Sequence, residues 1–158
     1  MAGTSTISAV NGSKFFIGPA ADVNTQTLAV AATYVQVKQV STMPDYGDVA
    51  VPINFLAVDS MRELVLKGTQ NGGTSSISCA YVAGDPGQLA MDAAEIAKNN
   101  YFFKIQLNDM PIGGALPTVT YLWAMVMSKR KKGGAANGVE MVDYTIAIND
   151  VPFEIQAS

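Results

Sequence analysis

VEMVDYTIAIND, residues 139–150, alternates apolar and polar side chains almost without a break. Val142, Tyr144, Ile146 and Ile148 fall on one side of an extended chain, with Asp143, Thr145, Ala147 and Asn149 opposite. A period of two with branched and aromatic residues on the apolar side marks a half-buried strand. The same period recurs in TYVQVKQV (33–40), ELVLKG (63–68), TSSISCAYVAG (74–84), YFFKIQLND (101–109) and VTYLWAMVMS (119–128). The turn signal QNGG (70–73) predicts that the second and third of these pair as a hairpin, and MPIGGALP (110–117) reads as a loop. The fold class is mainly β: a sandwich or partly open barrel of about seven strands.

GDPGQLAMDAAEIAKNNYFF (84–103) interrupts that rhythm. Asp85 suits an N-cap and Pro86 a first turn, and Asn99-Asn100 stops the run, which predicts one α-helix over about 86–98. Leu89, Ala90, Ala93, Ala94, Ile96 and Ala97 form its expected apolar stripe, small enough to lie close on the outside of the sheet.

Composition narrows the function. The 158 residues suit a single domain spanning 1–158, with 1–12 a possible N-terminal arm. Hydrophobic residues make up 49% and charged residues 15%, so the surface is poorly charged and suited to burial against partners. Histidine is absent, which removes Ser-His and Cys-His pairs, His-built metal sites and the commonest general base. The single Cys79 alternates with Ile77 and Tyr81 as a buried thiol would, and fits a reducing cytoplasm. Residues 1–10 show no secretion signal, and VTYLWAMVM (119–127) is too short for a membrane-spanning helix. The glycine pairs at 72–73, 113–114 and 133–134 do not match a phosphate loop. Asp92 and Glu95 read as a solvated helix face, so catalytic residues, metal ligands and cofactors are all expected to be none.

Two segments stand apart. Residues 41–62, STMPDYGDVAVPINFLAVDSMR, are too apolar for a disordered loop and too long for a simple turn. They read as a long loop that docks on a neighbour. Lys129, Arg130, Lys131 and Lys132 hold four of the ten basic residues; six basic and thirteen acidic residues remain, a net −7 outside the run. Lying before Gly133-Gly134, the run reads as a solvated hairpin tip.

The order of these elements, with LKGTQNGGTSSIS, the DPGQ helix start and the closing VDYTIAINDVPFEI, resembles the major tail tube proteins of long-tailed, non-contractile, lambda-like bacteriophages. The resemblance runs from about residue 13 to residue 157 and rests on order and spacing. It implies a structural virion protein whose hexameric rings stack into a hollow tail tube. The partners it implies are further copies, tape-measure, tail-tip and terminator proteins, and double-stranded DNA as a passing cargo. Assembly would take place in the host cytoplasm and the product would sit in the virion tail. Some relatives carry a C-terminal immunoglobulin-like domain; none is expected here. The loop would reach the adjacent ring through Pro44, Asp45, Tyr46, Asp48, Val51, Ile53 and Phe55. Asp143, Thr145, Ala147 and Asn149 are the candidates for the channel wall, with the basic run kept out of it, because phosphate must slide without sticking. Alternatives are a contractile-tail or type VI secretion tube, a tail terminator or capsid decoration protein, and, least in keeping with the residues, a small β-barrel enzyme.

Overall fold

The computed structural model describes residue 7 and residues 9–158. In chain order the elements are β1 (Lys14–Ala20), α1 (Gln26–Ala31), β2 (Val35–Val37), β3 (Val40–Thr42), β4 (Val49–Phe55), β5 (Leu64–Asn71), β6 (Thr74–Ala80), α2 (Pro86–Ile96), β7 (Tyr101–Gln106), β8 (Val119–Lys132), β9 (Met141–Ile148) and β10 (Phe153–Ile155). The expected N-terminal arm falls largely on residues 1–6 and 8, which lie outside the described residues.

Eight strands form one sheet in the order β2-β1-β7-β8-β9-β6-β3, with β10 beside the first part of β8. The pairings in this sheet are antiparallel. Its two end strands, β2 and β3, are joined by only Lys38 and Gln39. Val37 and Val40 therefore sit within about 11 Å of each other, the reach of three peptide units. A sheet whose opposite edges are so tethered must roll up, and the result is a partly open barrel with its seam at residues 38–39. Gln39 takes the left-handed conformation, φ 60°, to turn the chain across that seam. The single strand expected over 33–40 is thus two strands at opposite ends of the sheet.

The inner face is the core. Phe15, Ile17, Val37, Ile77, Cys79, Phe103, Ile105, Leu122, Ala124, Val126, Val142, Tyr144, Ile146 and Ile148 line it, each at most 3% exposed. Alternation in β7 and β9 assigns these residues correctly from sequence. Helix α2 covers this face through Met91 and Ala94, both fully buried. Its buried positions are Gly87, Gln88, Met91 and Ala94, while the expected stripe residues Leu89 and Ile96 are 56% and 81% exposed. The helix ends at Ile96 with Ala97 as its C-cap, two residues short of the expected end. Spacing gave the helix but misplaced its inner face, because a close approach to β2 requires Gly87 and Gln88 inside.

Three further expectations change. A second helix, α1, is capped by Thr25, whose hydroxyl accepts from the Leu28 N–H at 3.3 Å. Six residues give too little periodicity to detect. Strands β5 and β6 do not pair; β5 joins β4 in a separate ribbon, while β6 lies between β3 and β9. The turn signal at Gly72-Gly73 marks the exit from the ribbon into the barrel instead. Gly72 packs there against Ile148, where a Cβ would come within 2.9 Å.

Candidate assembly surfaces

The DPGQ segment locks the barrel seam. The Asp85 carboxylate accepts from the backbone N–H groups of Gln88 and Lys38, both at 3.2 Å. The Gln88 amide donates to the carbonyls of Ala80 at 2.8 Å and Lys38 at 3.4 Å, and accepts from the Val82 N–H at 3.1 Å. One side chain, 3% exposed, thereby ties the end of β6 to the link between β2 and β3. Unpaired backbone groups at the two edges would otherwise be left in a closing cavity. This motif is a structural fastening.

Residues 41–62 are not one loop. Pro44 is buried and Met43 packs on the core. Ser75 donates its hydroxyl to the Asp45 carbonyl, and the Tyr46 hydroxyl lies 3.3 Å from that of Thr120. So Pro44, Asp45 and Tyr46 are packed on or bonded to their own chain. From Val49 the chain becomes β4, which pairs with β5 in the register Ile53↔Leu66 and Phe55↔Leu64. Directly opposed residues share a face, and so do residues two apart. Val51, Ile53, Phe55, Leu64 and Leu66 therefore form one apolar face, and Pro52, Asn54, Val65 and Lys67 the other. Gly68 clears room on the apolar side, where a Cβ would stand 3.1 Å from Ile53. The five apolar side chains are 52–58% exposed. An isolated two-stranded ribbon is marginal in water, and none of the described residues covers this face. Asp48 lies at the ribbon root beside Gln70, Asn71, Gly72 and residues 148–151.

The basic run is not a hairpin tip. Lys129, Arg130, Lys131 and Lys132 belong to β8 and pair with Tyr144, Asp143, Val142 and Met141. The tip is the following segment, residues 133–140. A register shift between Val126 and Ser128 turns Lys129 toward the helix side, where it meets Asp92 at 2.8 Å. Asp92 also accepts from the Tyr144 hydroxyl at 2.8 Å, so it is a cross-link between helix and sheet and not the solvated carboxylate expected. Burial and that contact push the Tyr144 hydroxyl pKa well above its ordinary value. Lys131 stacks 3.9 Å over the Tyr81 ring.

Asp143, Thr145 and Ala147 share the outer face of β9 with Ser76 and Ser78 opposite them on β6. Asn149 lies beyond the strand end and donates its amide to Asn100. Asp143 accepts from Ser78 at 2.6 Å and meets Lys132 at 2.9 Å, and these bonds hold its carboxyl below the ordinary range. Arg130 is directly opposite Asp143 as well. Two of the four basic residues thus share the face expected to exclude them. Cross-strand register decides this and spacing could not.

An apolar groove of about 440 Å³ opens beside α1, lined by Pro19, Ala20, Val23, Leu28, Ala31 and Phe102. Among the described residues no cluster of three or more metal-ligating side chains occurs. No helix among them is long and apolar enough to cross a membrane.

No protein-family model and no curated protein matches the chain. Solved structures do match over nearly its full length. A chain of the anti-feeding prophage baseplate aligns with a TM-score of 0.68 at 14% identity, covering 98% of this chain and 99% of that one. The sheath/tube terminator of an extracellular contractile injection system gives 0.66 at 12% identity, covering 97% and 99%. The SPP1 tail tube gives 0.64 at 13% identity, covering 94% and 81%. At these identities the similarity is one of fold: a mainly β chain with the architecture of phage tail-tube and tube-terminator subunits.

Proposed function

We propose that this protein is a structural, non-catalytic subunit that assembles with copies of itself into rings stacked as the tube of a phage-type tail. The uncovered apolar face of the β4–β5 ribbon carries the reading. Fully burying a large aliphatic or aromatic side chain is worth about 1.5–3 kcal/mol, and this subunit leaves five of them half exposed on an arm that needs a partner. The shared fold with tube and terminator subunits supports a second copy as that partner.

In this reading the rings are hexamers and the face bearing Asp143, Thr145 and Ala147 lines a channel for double-stranded DNA. Apart from Arg130 and Lys132 its side chains are small hydroxyls and methyls that offer phosphate little to hold, and Asp143 lies against both cations, paired with Lys132 and opposite Arg130. Tape-measure, tail-tip and terminator proteins are the further partners, and the tail of a virion assembled in the host cytoplasm is the location. Electron microscopy and sedimentation of the purified protein at rising concentration test the proposal. Hollow tubes are expected, and Phe55→Asp should leave a folded monomer that forms none. A wild-type protein that stays monomeric at high concentration, even with a tail-tip initiator, overturns it.

A terminator or cap ring is the second reading, favoured by the match to a sheath/tube terminator over 99% of that chain. Closed rings that never elongate would select it over the tube.

A further inference from the structure

None of the described residues fills the groove beside α1. Val23 and Leu28 at its mouth are 60% and 51% exposed, and α1 is held in place by the Thr25 cap and by the Tyr34 hydroxyl, which donates to the Ala29 carbonyl at 2.6 Å. It is a preformed apolar recess.

We propose that this groove receives the apolar face of the β4–β5 ribbon from the laterally adjacent copy of the same ring. The proposal rests on the assembly reading above and names which neighbour the ribbon meets. Two observations carry it. The first is area. Five half-exposed side chains at on the order of 100 Å² apiece offer roughly 500 Å², over half of the ~800 Å² one partner supplies to a stable interface. That is suited to a groove of this apolar lining and too large to leave in water.

The second is position. The ribbon root, Asn71 and Gly72, shares a recess with Ile148–Val151. Asp150, in that same recess, accepts from the Asn24 amide at 3.0 Å. Ala21, in the groove lining, donates its N–H to Asn100 at 2.9 Å, and Asn100 bonds in turn to Asn149. Root and groove therefore flank one end of the barrel. In this proposal the barrel ends face along the tube axis: stacked copies then present opposite ends to each other, whereas copies around a ring hold the same end at the same height. The seven residues of β4 span about 24 Å, which carries the ribbon well beyond its own barrel. A contact from ribbon to groove is heterologous, and repeated around a ring it closes.

The test is disulfide trapping in the full chain carrying Leu28→Cys and Phe55→Cys. Both side chains are exposed, and Cys79 is fully buried, so it adds no background. Oxidised tubes run on a non-reducing gel should give a ladder that stops at the number of subunits in one ring. Either single variant should give none. Intact tubes with no ladder, or with one that continues without limit from ring to ring, overturn the lateral contact and leave the tube reading standing. A second arm mixes Leu28→Asp with Phe55→Asp, each expected to be monomeric alone and with like charges at the contact between altered groove and altered ribbon. The mixture retains one good ribbon and one good groove per pair, and a discrete heterodimer is expected by sedimentation. Two separate monomer populations at every concentration overturn the pairing. Failure of the wild-type chain to assemble would instead overturn the function on which it rests.

Discussion

Gly87→Ala should destabilise the fold, against the ordinary preference of helices. Alanine usually favours a helix interior over glycine by about 1 kcal/mol. At position 87 a Cβ would lie 2.5 Å from the Cα of Val37, with the Gln36 carbonyl oxygen closer still. Both obstacles are backbone atoms of β2, so no rotamer change relieves them. The helix must retreat by roughly 1 Å to restore ordinary contact at 3.5–4.0 Å. That retreat stretches the bonds from Lys38 to Asp85 and from Gln88 to Lys38, already 3.2 and 3.4 Å, out of hydrogen-bonding range. Overpacking costs about 1–3 kcal/mol and two lost hydrogen bonds about 1 kcal/mol each. Less the propensity gain, the net loss is about 2–4 kcal/mol, or a Tm lower by about 5–15 °C in a chain of this size. The measurement is urea unfolding followed by circular dichroism, in a Phe55→Asp background to keep the protein monomeric. Gly133→Ala, where a Cβ meets nothing within 4 Å, serves as the control and should change stability by under about 0.5 kcal/mol. A Gly87→Ala variant as stable as its parent would refute the seam fastening.

Other outcomes follow from the same contacts. Asp92→Ala strips acceptor contacts from Tyr144 and Lys129 and should cost about 1–3 kcal/mol by urea unfolding, with little change at Glu95→Ala. Asp109 and Asp143 are held below the ordinary carboxyl value of 3.8, Asp109 by bonds from Thr118 and Asp143 by bonds from Ser78 and Lys132. Their folded pKa values are depressed, so the stability they contribute is full above pH 3.8 and vanishes as pH falls through the lower folded values. Acid titration should therefore show a steeper loss below pH 3.8 in the parent than in the Asp109→Asn, Asp143→Asn double variant. Burial pushes the Cys79 thiol up to about 11, so a thiol reagent at pH 8 should label it only after denaturation.

Which face is inside was written in the alternation of β7 and β9. Side-chain direction flips with every residue of a strand, and the buried set Val142, Tyr144, Ile146 and Ile148 is the set the period selects. Helix α2 was legible from its cap and proline, since both act within one turn. The candidate assembly surfaces were legible only in part. Val51, Ile53 and Phe55 stood out as apolar residues without a core, but Leu64 and Leu66 joined them only once β4 was paired with β5. The basic run changed from a solvated tip to a paired strand, with Lys129 bound to Asp92 on the distant helix α2 and Lys132 to Asp143 on the next strand, β9.

Local pattern reports what each residue does to its own backbone and which way its side chain points. Strand pairing is a choice among distant partners, and by sequence QNGG pointed β5 toward β6 while the residues of β4 read as part of a loop. Tertiary closure decided between them. Rolling the sheet until β2 and β3 meet at Lys38 and Gln39 places β6 beside β3 and β9, leaves β5 no place in the barrel, and sends the ribbon out with its apolar face uncovered.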